Sequence, residues 1–156
     1  MSFRIKGLPA ETFEHLFALS DADLASHGAV RRIADARPVY PCRISLTDAP
    51  PGTPVILVHY EHQSAASPYR SSHAIYVREG EVTYDAVDEI PVQLRTRLLS
   101  VRGFDAQGMM TGAEVVEGTE VEAVIERLFR DDRAAYLHVH YARPGCYAAR
   151  IERTTA

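Results

Sequence analysis

Asparagine and tryptophan are missing from this 156-residue chain, and Lys6 is its sole lysine. The basic residues are therefore almost all arginine, a skew read as a bias toward GC-rich codons, so a single arginine is weaker evidence of a role than usual. Positive charge is also short. A formal net charge of -4, with the arginines scattered among acids, argues against a nucleic-acid partner, which needs a basic footprint. No apolar run approaches the ~18 residues of a membrane span, and the stretch from Met1 to Pro9 lacks the apolar core of a signal peptide. The expectation is a cytoplasmic protein with no membrane partner. Only two cysteines occur, Cys42 and Cys146. In a reducing compartment both are expected as thiols rather than as a disulfide.

Reaction signatures are lacking as well. No Gly-x-Ser-x-Gly elbow exists, so a conventional α/β-hydrolase mechanism is not expected. The segment Gly103-Phe-Asp-Ala-Gln-Gly-Met-Met110 has neither the glycine spacing of a dinucleotide fingerprint nor the lysine of a P-loop, and reads as a hairpin turn. Neither cysteine sits in a Cys-x-x-Cys or a protease signature. No repeat, low-complexity segment or Gly/Pro/Ser-rich linker divides the chain.

The content that remains is that of one globular domain, residues 1–156, whose 46% hydrophobic residues can form a core without disulfides or structural metals. Pro9 and the stripe Phe13, Leu16, Phe17 predict a first helix from Leu8 to Phe17, and Ser20 to Gly28 a second, capped by Ser20 or Asp21. From Pro41 the period turns strand-like. Cys42 to Leu46, a turn at Asp48 to Gly52, and Val55 to Tyr60 suggest a hairpin, with Val55 to Tyr60 buried on both faces. His73 to Arg78 is a further strand, which the loop Gln63 to Ser72 joins to its neighbour. A helical turn or two is expected between Pro91 and Leu99, and a second hairpin from Ser100 to Glu117. Thr119-Glu-Val-Glu122 reads as a capping box opening a core helix to Arg130, with Val121, Val124, Ile125, Leu128 and Phe129 inward. Ala135 to Tyr141 and Cys146 to Arg153 close the chain as strands around Ala142-Arg-Pro-Gly145. The order predicts an α+β fold: an antiparallel or mixed sheet with helices packed mainly on one face.

The richest chemistry lies in that last hairpin. His138 and His140 point to one strand face while Leu137 and Val139 point to the other. Two imidazoles about 6.5 to 7 Å apart at Cα can reach one divalent metal, although none of His59, Glu61, His62, His73, Cys42 and Cys146 supplies a further ligand at a diagnostic spacing. The same pair can instead be part of a metal-free polar pocket, or simply the polar face of a strand. Around the loop after Val55 to Tyr60, His62 and His73 stand at the two feet, with Tyr69 and Arg70 between them. Arginine offers a planar fork to a carboxylate or phosphate, and histidine a proton exchanger near neutral pH. The plain alternative is a solvated loop whose histidines cap strand ends. Cys42 and Cys146 each have an arginine beside them, Arg43 and Arg143, as a nucleophilic thiolate would require, yet a buried inert thiol is the common fate of such residues.

Tyr40-Pro-Cys-Arg43, Tyr69-Arg70-x-x-His73-Ala-Ile-Tyr-Val-Arg78, the Leu99 to Met110 segment, and His138-Val-His140 with Ala142-Arg-Pro-Gly-Cys-Tyr147 resemble a bacterial family of uncharacterised proteins, the domain of unknown function 1203. The resemblance runs from Phe3 to Arg153. It implies a stand-alone bacterial single-domain protein and assigns no reaction, cofactor or catalytic residue. Three functional readings follow. The first is a pocket for a small anionic molecule, built from Arg70, Tyr69, His73, His138, His140 and Arg143, with His62 and Arg43 near it. As an enzyme it would use a histidine as general acid or base and Cys146 or Cys42 as nucleophile. The second is a metal-binding protein using His138 and His140, and the third a non-enzymatic ligand- or partner-binding module. No cofactor other than that divalent ion is expected.

Overall fold

The computed structural model describes residues 1–37 and 39–155. Nine strands are formed there: β1 (Ser2–Lys6), β2 (Ala29–Ile33), β3 (Pro54–Gln63), β4 (Ser71–Val77), β5 (Asp85–Val87), β6 (Leu98–Phe104), β7 (Met110–Glu117), β8 (Tyr136–Tyr141) and β9 (Tyr147–Thr154). The helices are short: α1 (Glu14–Phe17), α2 (Asp21–Ser26), α3 (Val92–Arg95) and α4 (Val121–Phe129). The protein is thus mostly sheet. Among the described residues no helix is long and apolar enough to cross a membrane.

The strands form two antiparallel sheets, a six-stranded one in the order β5-β1-β9-β8-β6-β7 and a three-stranded one in the order β2-β3-β4. In the larger sheet strict alternation separates two faces. Ile5, Leu99, Val101, Leu137, Val139 and Ile151 share a core with Val121, Val124, Ile125 and Phe129 of α4. His138 and His140 stand on the opposite side, in register with Arg102 and Ser100 of β6. A second core joins Phe13, Leu16 and Leu24 of the N-terminal helical region to Ile56, Val58, Ile75 and Val77 of the smaller sheet, and Tyr147 reaches into it from β9. The sheets also meet through buried Gln63, whose amide donates to the Tyr136 hydroxyl at 3.0 Å.

The two closing hairpins, the β3–β4 pair and the helix carrying Val121 to Phe129 form where local pattern places them. Three expectations need correction. First, Cys42 to Leu46 is a buried coil rather than a strand. The Leu46 amide turns back to the Cys42 carbonyl at 3.1 Å with Leu46 at a positive φ of 54°, and β3 pairs with β2 and β4 instead of with this segment. Its apparent alternation is false, because Cys42, Arg43, Ile44 and Leu46 are all buried. Second, the capping box is not made. A 3-10 turn, Gly118–Glu120, precedes α4, no side chain caps it, and the Glu122 carboxylate pairs with Arg95. Third, β1 and β2 arise from short segments whose own pattern predicts no strand. β1 adds Phe3 and Ile5 to the larger core, and β2 carries buried Ala29.

Candidate functional site

The buried coil is what brings chemistry together. The Leu8 amide donates to the Arg43 carbonyl at 2.8 Å and the Arg43 amide to the Tyr76 carbonyl at 3.0 Å, which fixes the backbone between the N-terminal segment and β4. From there the Arg43 side chain runs inward and is only 1% exposed. It donates from Nε to the Tyr147 carbonyl at 2.8 Å, from Nη1 to the Pro41 carbonyl at 2.6 Å, and from Nη2 to Cys146 Sγ at 2.8 Å. Among the described residues no carboxylate pairs with it.

Arg43 and Cys146 line a cavity of about 650 Å³. Its walls come from the coil, the edge strand β4, the α3–β6 junction and the β8–β9 turn. The lining holds three guanidiniums, those of Arg43, Arg97 and Arg143, together with His73, against one carboxylate, Glu117. Much of the remainder is apolar, including Leu57, Ala74, Leu98 and Pro144. Tyr141 lies between two cations, with the guanidinium carbons of Arg43 and Arg97 at 5.1 and 5.0 Å from its ring centroid. Its hydroxyl donates to Gln93, and burial holds its ionisation well above the ordinary tyrosine value. Arg97 pairs with Asp48 at 2.9 Å, whereas Arg143 is exposed on the turn. Gly145, at φ 80°, supplies the left-handed corner that closes this turn and delivers Cys146. His73 Nδ1 donates to the Ala74 carbonyl at 3.0 Å.

Three other histidines, His62, His138 and His140, assemble elsewhere. A β-bulge between Glu61 and Gln63 re-aims His62, whose ring stacks on Tyr147 at 5.5 Å and stands edge-on to His140 at 4.9 Å and His138 at 6.3 Å. His140 Nδ1 donates to the Gly145 carbonyl at 3.0 Å, and His62 Nε2 bonds the Ser71 hydroxyl at 2.9 Å. The buried Nδ1 atoms of His62 and His138 have no hydrogen-bond partner. Burial, joined by the charges of Arg102 and His73, lowers His62 to about 4. Burial also lowers His138 to about 3, with His140, Arg150, His62 and Arg102 adding to it. His140 likewise falls to about 3 through burial, against the opposing pull of the Gly145 carbonyl. All three rings are therefore neutral at pH 7. Among the described residues no group of three or more His, Cys, Asp or Glu is arranged to hold a metal ion.

A family model described as protein of unknown function (DUF1203) matches residues 39–153. The chain belongs to the DUF1203 family. Every residue lining the cavity, and the whole imidazole cluster, falls inside the matched span. No curated protein and no solved structure matches.

In this DUF1203 chain the residues singled out by sequence divide between places. His73, Arg43, Arg143 and Cys146 gather at the cavity, while His138, His140 and His62 form the imidazole cluster. Tyr69 packs edge-on to Phe104 at 6.1 Å on the β3–β4 loop, and Arg70 is exposed and paired with Glu61 at 3.1 Å. Cys42 is 1% exposed in the second core, away from the cavity lining. Arg97, Tyr141 and Glu117 went unrecognised. No local motif marks them, because they reach the cavity from the α3–β6 junction and the ends of β7 and β8 only once the sheet has formed.

Proposed function

We propose that this protein binds a small organic anion in the cavity between the β4 edge and the β8–β9 turn. The observation that carries the reading is the charge of the lining: three arginines against a single carboxylate, set among apolar walls. Guanidiniums recognise carboxylates and phosphates through paired hydrogen bonds, and an apolar wall excludes water and strengthens them. Arg143, exposed and unpaired among the described residues, is the natural first contact, with Arg97 deeper, while Arg43 adds its charge from the wall with its donors engaged by Pro41, Tyr147 and Cys146. His73 adds an imidazole nitrogen to the lining. A cavity of this volume matches the ordinary size of small-molecule sites.

Benzoate and its neutral isostere benzamide test this reading, since they share a ring and differ in charge. Thermal unfolding followed against each compound should show stabilisation that rises with benzoate and is absent with benzamide. Arg143→Ala should weaken the benzoate effect without lowering the unliganded melting temperature. Equal responses to both compounds, or a benzoate effect untouched by Arg143→Ala, would remove the support for an anion site here.

The imidazole cluster is read as a neutral polar joint between the two sheets. Its rings are enclosed by Tyr136, Tyr147 and Phe104 and lie outside the cavity lining.

A further inference from the structure

We propose that Cys146 is a nucleophile, supported by Arg43, and that its partners are electrophilic small molecules carrying a carboxylate or similar anion. This rests on the anion-pocket reading and adds a bond-forming role to it.

A guanidinium keeps its charge even when buried, so a fully buried one needs an anion or a dense set of acceptors around it. Arg43 has three polar partners: two backbone carbonyls and the Cys146 sulfur. Only the sulfur can take on negative charge. Asp48 is committed to Arg97 at 2.9 Å, and among the described residues no carboxylate pairs with Arg43. At 2.8 Å the Nη2–Sγ separation equals that of a guanidinium and a carboxylate oxygen, although sulfur is the larger atom. A guanidinium donating to the sulfur places beside Cys146 the positive charge that a nucleophilic sulfur needs near it.

Cys42 provides the internal comparison. Both cysteines are buried members of a core, yet the Cys42 sulfur has no guanidinium donor among the described residues and Cys42 does not line the cavity. Cys146 instead opens on the cavity, where Arg97 and Arg143 can hold the anionic end of a substrate. In the bond-forming step Cys146 Sγ attacks an electrophilic carbon. The sulfur–carbon bond forms as the bond to the leaving group breaks, the leaving group departs with its electron pair, and the thiol proton has already gone to solvent. Arg43 touches the sulfur and not the substrate, so it is a positioning residue.

Iodoacetate and iodoacetamide are suitable probes because both alkylate thiols with loss of iodide and only the first is an anion. The rate of each at Cys146 is measured at pH 7 by peptide mass spectrometry on the folded protein, with free cysteine as reference. Iodoacetate should react at Cys146 on the order of tenfold faster than with free cysteine, because a free thiol is only a few per cent ionised at this pH. The ratio of iodoacetate to iodoacetamide rates should exceed that of free cysteine, and guanidinium unfolding should abolish the excess. Cys42→Ala should leave both rates unchanged, and Arg43→Gln should slow both. If Arg43→Gln does not fold, the wild-type rates still decide the matter. Fast alkylation with no preference for iodoacetate overturns the anionic substrate class and the pocket reading beneath it, and leaves the nucleophile standing. Alkylation no faster than free cysteine by either reagent overturns the nucleophile, whatever benzoate binding shows.

Discussion

Arg43 and Cys146 lie 103 residues apart in the chain and meet at 2.8 Å, with the arginine side chain almost wholly out of water. This contact ties the coil before β3 to the first residue before β9 and forms one wall of the cavity. Losing either partner therefore has consequences for both stability and chemistry.

Replacing Arg43 by Met keeps much of its length and removes all its donors. The carbonyls of Pro41 and Tyr147 are then left without their partner in a buried place, so the loss should be about 2 to 5 kcal/mol of unfolding free energy. Lysine should recover little of it, because an ammonium cannot span three acceptors with the geometry of the planar fork. Urea unfolding of Arg43→Met and Arg43→Lys measures this, and a change below about 0.5 kcal/mol for Arg43→Met would show that the contacts are not structural.

Acid should unfold the protein through the imidazole cluster. His138 and His140 sit at about 3 and His62 at about 4, all below the ordinary 6.5. As pH falls the unfolded chain therefore takes up protons first. Stability is complete above about pH 6.5 and declines as pH falls toward the folded values, with a slope of at most about 1.4 kcal/mol per pH unit for each ring. Denaturation curves between pH 7.5 and pH 4.5, a range set around that window, should show the decline, and a stability independent of pH would contradict a neutral buried cluster.

His138→Phe separates the cost of this cluster from its packing. The His138 Nδ1 is buried without a partner, a state that costs free energy which an apolar ring of similar shape avoids. The variant should be as stable as the parent or more so at pH 7, and its acid decline should be shallower. Marked destabilisation at pH 7 would mean that the imidazole makes an interaction which phenylalanine cannot replace.

Gly7 holds the coil in place through close approach. A side chain there would meet the Ile44 carbonyl, the oxygen that accepts from the Tyr84 amide. Gly7→Ala should cost about 1 to 3 kcal/mol, as overpacking against a fixed backbone does. It should also weaken benzoate binding by displacing the Arg43 segment. An unaffected melting temperature would show that the coil can shift freely.

Much of the sheet is legible in the sequence, because its signals are local. The alternation of Leu137 and Val139 with His138 and His140, the Arg-Pro-Gly turn after them, and the α4 stripe each specify an element without reference to distant residues. The coil from Cys42 to Leu46 defeats the same reasoning. It is buried on all sides, so its side chains carry no periodicity that reports the backbone. β1 is short, and its two inward residues, Phe3 and Ile5, gain meaning only beside β9. The cavity is hidden for a related reason. Arg43, Arg97, Tyr141 and Cys146 belong to separate segments, and they meet only once β6, β8 and β9 have paired and the coil has seated against β4. The family match covers all of these segments and assigns none of them a role.

Protection of Cys146 by an anion tests most directly the claim that thiol and arginines serve one site. The rate of carboxymethylation at Cys146 by iodoacetate is measured with increasing benzoate, and again with increasing benzamide. The rate should fall toward zero as benzoate saturates and stay constant with benzamide. A rate indifferent to benzoate, or lowered equally by both compounds, would contradict an anion-binding cavity with Cys146 on its wall.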